Sequence, residues 1–184
     1  MLYQAVAVLW LASEVVIGIT RDAPLRSIGQ DRLSGPAAIF FVVLSVWAGY
    51  IAGRAFPAAA ITPGHSFVSG LGASVALAGI VFRWWAVLTL GRFFTTRVMT
   101  RPDQTVVQAG PYRLVRHPSY TGMLVTVLGM LLIAANWVSL ACFPIALPGL
   151  AYRIRVEEQA LIGALGEPYR DYMRRTKRLV PFVV

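Results

Sequence analysis

Four long apolar runs dominate this chain of 184 residues: 2–20, 36–54, 67–90 and 119–151. A helix needs about 20 apolar residues to cross the hydrocarbon core of a bilayer. Lipid offers no partner for backbone N–H and C=O groups, so only internally bonded elements can span it. The first three runs each fit one crossing, the second with Pro36 in its opening turn, where a missing N–H does no harm. The fourth is too long for one. Asn136 and Trp137 lie near its middle, with Pro144 and Pro148 beyond, a pattern that suits a tight hairpin of two helices turning near Asn136. That makes five spans; a single bent, tilted helix over the same run would make four. The composition agrees, since only 14% of residues are charged, against about 25% in a soluble domain.

The charges choose between the two topologies. With the N-terminus outside, the segments 21–35, 91–118 and 152–184 share one side and hold all but two of the 17 basic residues, the exceptions being Arg54 and Arg83. Four spans would put the tail on the opposite side and erase the bias. The positive-inside rule therefore favours five spans with a cytoplasmic C-terminus. The same clustering reads the net charge of +9 as topology and not as a nucleic-acid surface. The opening Met-Leu-Tyr-Gln has no basic stretch before the apolar run, so the first segment reads as a retained span. The expected fold is an all-α integral membrane bundle with a C-terminal helical extension. One membrane domain covers 1–184, with N-terminal spans over 1–90 and a signature region over 91–184. Gly70, Gly72, Ala76, Ala78 and Gly79 give the third span small faces for close packing.

Ionisable residues inside a span are functional flags. Glu14 and Arg83 are two. Arg83 is expected to snorkel to the interface, and Glu14 could pair with it or with another arginine. A denser cluster, Gly-Pro-Tyr-Arg-Leu-Val-Arg-His-Pro-Ser-Tyr-Thr-Gly, fills 110–122 at the approach to the fourth run. Further on, Arg153 and Glu157 stand four apart and share one helix face. Gly166-Glu167-Pro168 breaks that helix, Tyr169 and Tyr172 follow on a short one, and Pro181 closes the tail. His65 and His117 are far apart and Cys142 is alone, so no metal-ligand set forms. Cys142 reads as a small buried hydrophobe. There is no phosphate-binding glycine loop, dinucleotide fingerprint or nucleophile elbow. One reaction centre is left, made of Arg, His, Tyr and Glu at the membrane surface.

Gly110-Pro-Tyr112, Arg116-His117-Pro118-Ser-Tyr120-x-Gly122, Glu157-Glu158-x-x-Leu161, Gly166-x-x-Tyr169-x-x-Tyr172 and Pro181 follow one another in an order that resembles the isoprenylcysteine carboxyl methyltransferase family. The related phospholipid methyltransferases share much of the pattern. It covers 92–182, half of the chain, and leaves the first two spans without a signature. The resemblance implies an integral membrane enzyme that uses S-adenosyl-L-methionine and releases S-adenosyl-L-homocysteine. It implies cofactor contacts at Gln104, Thr105, Val106, Val107, Tyr112, His117 and Glu157, and a substrate contact at Arg153. Arg153 and Glu157 are then the catalytic pair, and no metal is implied. Gln104–Val107 are matched by their spacing back from Gly110.

The residue chemistry is compatible. Methyl transfer is an in-line displacement and needs alignment more than covalent help. A carboxylate acceptor is already ionised at neutral pH, and an arginine can hold it by two parallel hydrogen bonds. An amine or thiol would need a base, for which Glu157 and His117 are the nearby candidates. The expected acceptor is lipophilic or lipidated and reached from membrane lipid: an isoprenylcysteine-like carboxylate, or else a phospholipid or thiol. Two readings of other classes are a sterol-type reductase using a nicotinamide cofactor, and a non-enzymatic scaffold whose basic face binds anionic lipid.

Overall fold

The computed structural model describes residues 1–21, 33–62, 64–95 and 103–180. Arg26, Arg32, Arg97, Arg101 and Pro181, which enter the charge and tail arguments above, lie outside the described residues. The described chain is helical: α1 (Leu2–Arg21), α2 (Ser34–Ala55), α3 (His65–Leu90), α4 (Pro118–Ile133), the short α5 (Trp137–Leu140), α6 (Leu147–Leu165) and α7 (Glu167–Arg175). Four helical stretches among the described residues are long and apolar enough to cross a membrane: 2–20, 34–55, 65–93 and 137–165. Pro118–Ile133 is a shorter apolar helix. The long run is thus a hairpin, α4 out and α5–α6 back.

Asn136 makes the turn. Its side-chain oxygen accepts from the N–H groups of Val138 (2.9 Å) and Ser139 (3.2 Å), satisfying two orphan donors of the next helix. Its amide nitrogen donates to the carbonyl of Phe56 at 2.8 Å. Ala135 before it takes a left-handed conformation, φ 42°, which an alanine rarely adopts. Backbone bonds on both sides hold it there: its N–H donates to Leu132, and its carbonyl accepts from Ile61 at 2.7 Å. The loop after α2 therefore fixes the hairpin from outside.

Helices α3 and α4 pack closest. A Cβ on Gly129 would lie 2.2 Å from the backbone nitrogen of Ala76, and one on Gly79 would lie 2.4 Å from that of Thr126. Gly72 and Gly122 approach the partner backbone similarly. Without a hydrophobic drive between helices in lipid, such small-residue seams supply the contact that holds a bundle. Of the small residues expected at this seam, Gly72, Ala76 and Gly79 are buried in it, while Gly70 and Ala78 are exposed on the outer face. A core of Val6, Trp10, Val42, Ile80, Val127, Met130 and Leu150 fills the space between α1, α2, α3, α4 and α6.

Arg83 departs from expectation. It does not snorkel: its side chain is 7% exposed and faces Glu14 on α1. Nε and Oε1 are in contact at 2.6 Å without hydrogen-bond alignment, and the aligned bond runs from Nη2 to Oε2 at 2.7 Å. Nη1 donates to the hydroxyl (2.7 Å) and carbonyl (3.2 Å) of Ser119 at the start of α4. A carboxylate one helix away stabilises the guanidinium better than a long reach to water, so the pair ties α1, α3 and α4 together.

Candidate active site

The cluster at 110–122 folds as a 3-10 turn, Gly110–Arg113, followed by an extended Val115–His117 and then α4. Gly110 has φ +53°, and a Cβ there would press on Thr89 and Trp85 of α3, so glycine lets this turn settle against the bundle. Pro111 and Pro118 open the turn and the helix.

An open cleft lies between this turn, the end of α3, α6 and α7. Gln104, Thr105, Val106, Val107, Tyr112, His117 and Glu157 all line it, joined by Leu161, Leu165 and Tyr169. The structure thus gathers round one space every residue that the resemblance marks for the cofactor. The Tyr172 hydroxyl closes the floor by donating to the Tyr112 carbonyl at 2.7 Å. Burial pushes that hydroxyl up to about 12, with the nearby Arg116 opposing, so it stays a neutral donor.

A second, mainly apolar groove runs on the other side, between α1, α2, α4 and α6. Trp10, Leu11, Ile39, Val42, Val43 and Met123 wall it. Arg153 lines the groove but not the cleft, and Glu157 lines the cleft but not the groove. Phe94, Thr95 and Tyr120 line both.

Tyr120 is the link. Its hydroxyl donates to Glu157 Oε2 at 2.6 Å and accepts from Arg153 Nε at 3.2 Å. Arg153 also donates from Nη1 to the Ser34 hydroxyl at 3.0 Å. The expected pair shares a face of α6, and a tyrosine from α4 joins it. Arg153 is buried and so is no plain surface ion-pair partner. Sequence reasoning missed Tyr120 as a site residue, although the cluster contains it. It also missed Ser34, for which no sequence signal exists.

His117 sits at the cleft with its ring stacked on Tyr120, centroids 5.7 Å apart, and its Nε2 is 3.4 Å from Glu158 Oε1. It holds the N-cap position of α4 without a side-chain capping bond. Glu158 is buried and also meets Arg116 Nε (3.0 Å) and Arg178 Nη2 (3.0 Å).

The family model described as the isoprenylcysteine carboxyl methyltransferase (ICMT) family matches residues 71–163. The protein-S-isoprenylcysteine O-methyltransferase B of Arabidopsis thaliana is 33% identical over 65% of this chain and 62% of its own length. The corresponding protein of Tribolium castaneum is 31% identical over 64% of this chain and 43% of its own. The solved structure of a eukaryotic intramembrane Ras methyltransferase, an isoprenylcysteine carboxyl methyltransferase, superposes with a TM-score of 0.72 at 27% identity. That match covers 98% of this chain and 65% of the other. The matched chain therefore spans less than two thirds of the length of these relatives. The matched stretch, from the seam of α3 to the end of α6, holds Tyr112, His117, Tyr120, Arg153 and Glu157. The apolar helices and the matching fold make the chain a multi-pass integral membrane protein, and on the family match it belongs to the isoprenylcysteine carboxyl methyltransferase family.

Proposed function

We propose that this protein is an S-adenosyl-L-methionine-dependent methyltransferase that esterifies the carboxylate of an isoprenylcysteine-like acceptor at the membrane surface. One observation carries the reading: a mixed polar cleft and an apolar groove meet at Tyr120, with Glu157 on one side and Arg153 on the other.

The cleft suits the donor. Val107, Leu161 and Leu165 offer apolar surface for a flat ring, Gln104 and Thr105 offer polar groups, and Glu157 offers a carboxylate to a cationic ligand. Gln104–Val107, Tyr112, His117 and Glu157 would hold it. The chemistry such a donor supplies is an electrophilic methyl group, passed in line to the acceptor oxygen. The chain itself contributes position. Arg153, buried at the head of the groove, holds the acceptor carboxylate by charge-assisted hydrogen bonds. Tyr120 fixes Arg153 relative to Glu157 and so sets the acceptor against the cleft. Trp10, Val42, Val43 and Met123 take the apolar tail, which reaches the groove sideways from lipid. No base is required, because a carboxylate arrives ionised.

The proposed function includes a site at the cytoplasmic face of a prokaryotic inner membrane. The basic bias supports the side, and a relative in Bacillus subtilis, 32% identical over 90 residues, shows that similar chains occur in bacteria. The chain is read as one membrane domain. Phospholipid and thiol acceptors stay as alternatives within the same site, with Glu157 or His117 as base. The reductase and scaffold readings draw no support from relatives named as O-methyltransferases.

Calorimetry on the detergent-solubilised protein tests the donor. The expected result is one-to-one binding of S-adenosyl-L-methionine and no heat with a reduced nicotinamide. The opposite pattern would overturn the reading.

A further inference from the structure

Glu157 and Glu158 are neighbours with opposite tasks. Glu157 lines the cleft, and Glu158 does not; it meets Arg116, Arg178 and the His117 ring. We propose that Glu158 is a positioning residue: it clamps the C-terminal tail to the turn before α4 and, through His117, holds Tyr120 in place.

The contacts run in both directions from one buried carboxylate. Toward the tail, Arg178 donates from Nε to Oε2 at 3.1 Å, and its Nη2 lies 3.0 Å from the same oxygen. Toward the turn, Arg116 donates from Nε to Oε1 at 3.0 Å. Arg116 also donates from Nη1 to the carbonyls of Met173 (3.0 Å) and Thr176 at the end of α7, where a cation complements the helix dipole. Backbone bonds reinforce the joint: the N–H groups of Arg116 and His117 donate to the carbonyls of Lys177 (2.8 Å) and Arg178 (3.0 Å). The Thr121 hydroxyl donates to the Leu179 carbonyl at 2.7 Å. Toward the site, His117 Nε2 rests on Glu158, and its ring stacks on Tyr120, whose hydroxyl serves both Glu157 and Arg153.

The joint carries several charges with little exposed surface. Removing the carboxylate leaves Arg116, which is 8% exposed, without its acid partner, and an unpaired buried charge is strongly destabilising. Local opening is the expected response, because among the described residues the tail meets Val115–His117 by one short extended pairing. The His117 ring then loses its seat, and Tyr120 loses its stack.

The test combines deuterium uptake with donor binding in E158Q, H117A and the double variant. E158Q is expected to raise uptake over 113–117 and 174–180 while leaving α3 and the core of α4 protected. It should weaken S-adenosyl-L-methionine binding about tenfold, the loss of one charge-assisted contact. E158D should recover most of both. Since Glu158 acts on donor binding through His117, the double variant should bind within twofold of H117A; independent roles would multiply the two losses. Unchanged uptake and affinity in E158Q, or multiplied losses in the double variant, would overturn the proposal. R178Q, at a half-exposed side chain, carries the same uptake test if E158Q does not accumulate. It should loosen 174–180 alone, and an unchanged tail would overturn the clamp. The binding arm rests on the methyl-donor reading and the uptake arm does not. A wild-type protein that ignores the donor would therefore sink that reading, while uptake still judges the clamp.

Discussion

Helices α3 and α4 meet backbone to backbone, whereas α1 touches the bundle by a few side chains and faces lipid along most of its length. In α3, 39% of the most apolar window is buried, against 17% in α1. The seam of α3 and α4 is built on glycines at which an added Cβ would strike the partner backbone. Three polar pins hold α1: Tyr3 to the Val46 carbonyl (2.8 Å), Trp84 to Ser13 (2.7 Å), and Arg83 to Glu14. The rigid side carries the turn and borders the polar cleft; the pinned side walls the apolar groove. On the proposed function, a water-soluble donor would be met by fixed geometry, and a lipid tail by helices that stand apart.

The largest effect that could break this contrast is steric. Gly129→Leu should destabilise the bundle by more than about 3 kcal/mol, since the seam cannot yield. Gly70→Leu or Gly18→Leu, where nothing lies within 4 Å of an added Cβ, should change stability by less than about 0.5 kcal/mol. Thermal unfolding in detergent compares them, and equal losses would end the idea of a rigid side. Arg83→Ala comes next. It strands Glu14 and should destabilise by about 3–5 kcal/mol, read by the same assay. A near-neutral result would mean that α1 is held by other means.

The functional effects are smaller and separate the two sides. Arg153→Ala should lower turnover about 100-fold, because a buried charge-assisted contact to the acceptor is lost, with donor affinity nearly unchanged. Glu157→Ala should weaken donor binding about 10- to 30-fold by calorimetry without altering the unfolding temperature. Exchanged phenotypes, with Arg153 needed for the donor and Glu157 for turnover alone, would reverse the assignment of cleft and groove.

Much of this was readable along the chain. Span positions, the hairpin at Asn136 and the shared face of Arg153 and Glu157 follow from local periodicity, which neighbouring residues impose on one another. Tyr120 and Ser34 escaped because their roles exist only once α2, α4 and α6 converge at one point. Arg83 was misread because both outcomes, snorkelling and pairing, fit its sequence position. Only the placement of Glu14 on the facing helix decides between them. Glu158 stood in the motif, yet its cations come from a turn and a tail far away in sequence.

The most direct test is methyl transfer itself. The purified protein in lipid nanodiscs would be given methyl-labelled S-adenosyl-L-methionine with a small prenylated cysteine, with phosphatidylethanolamine and an apolar thiol in parallel. The proposed function predicts label in the prenylated cysteine, released as methanol by mild base, the signature of a carboxyl ester, and lost in Arg153→Ala. Label that appears only in the amine or the thiol, or base-stable label in the cysteine, would contradict it.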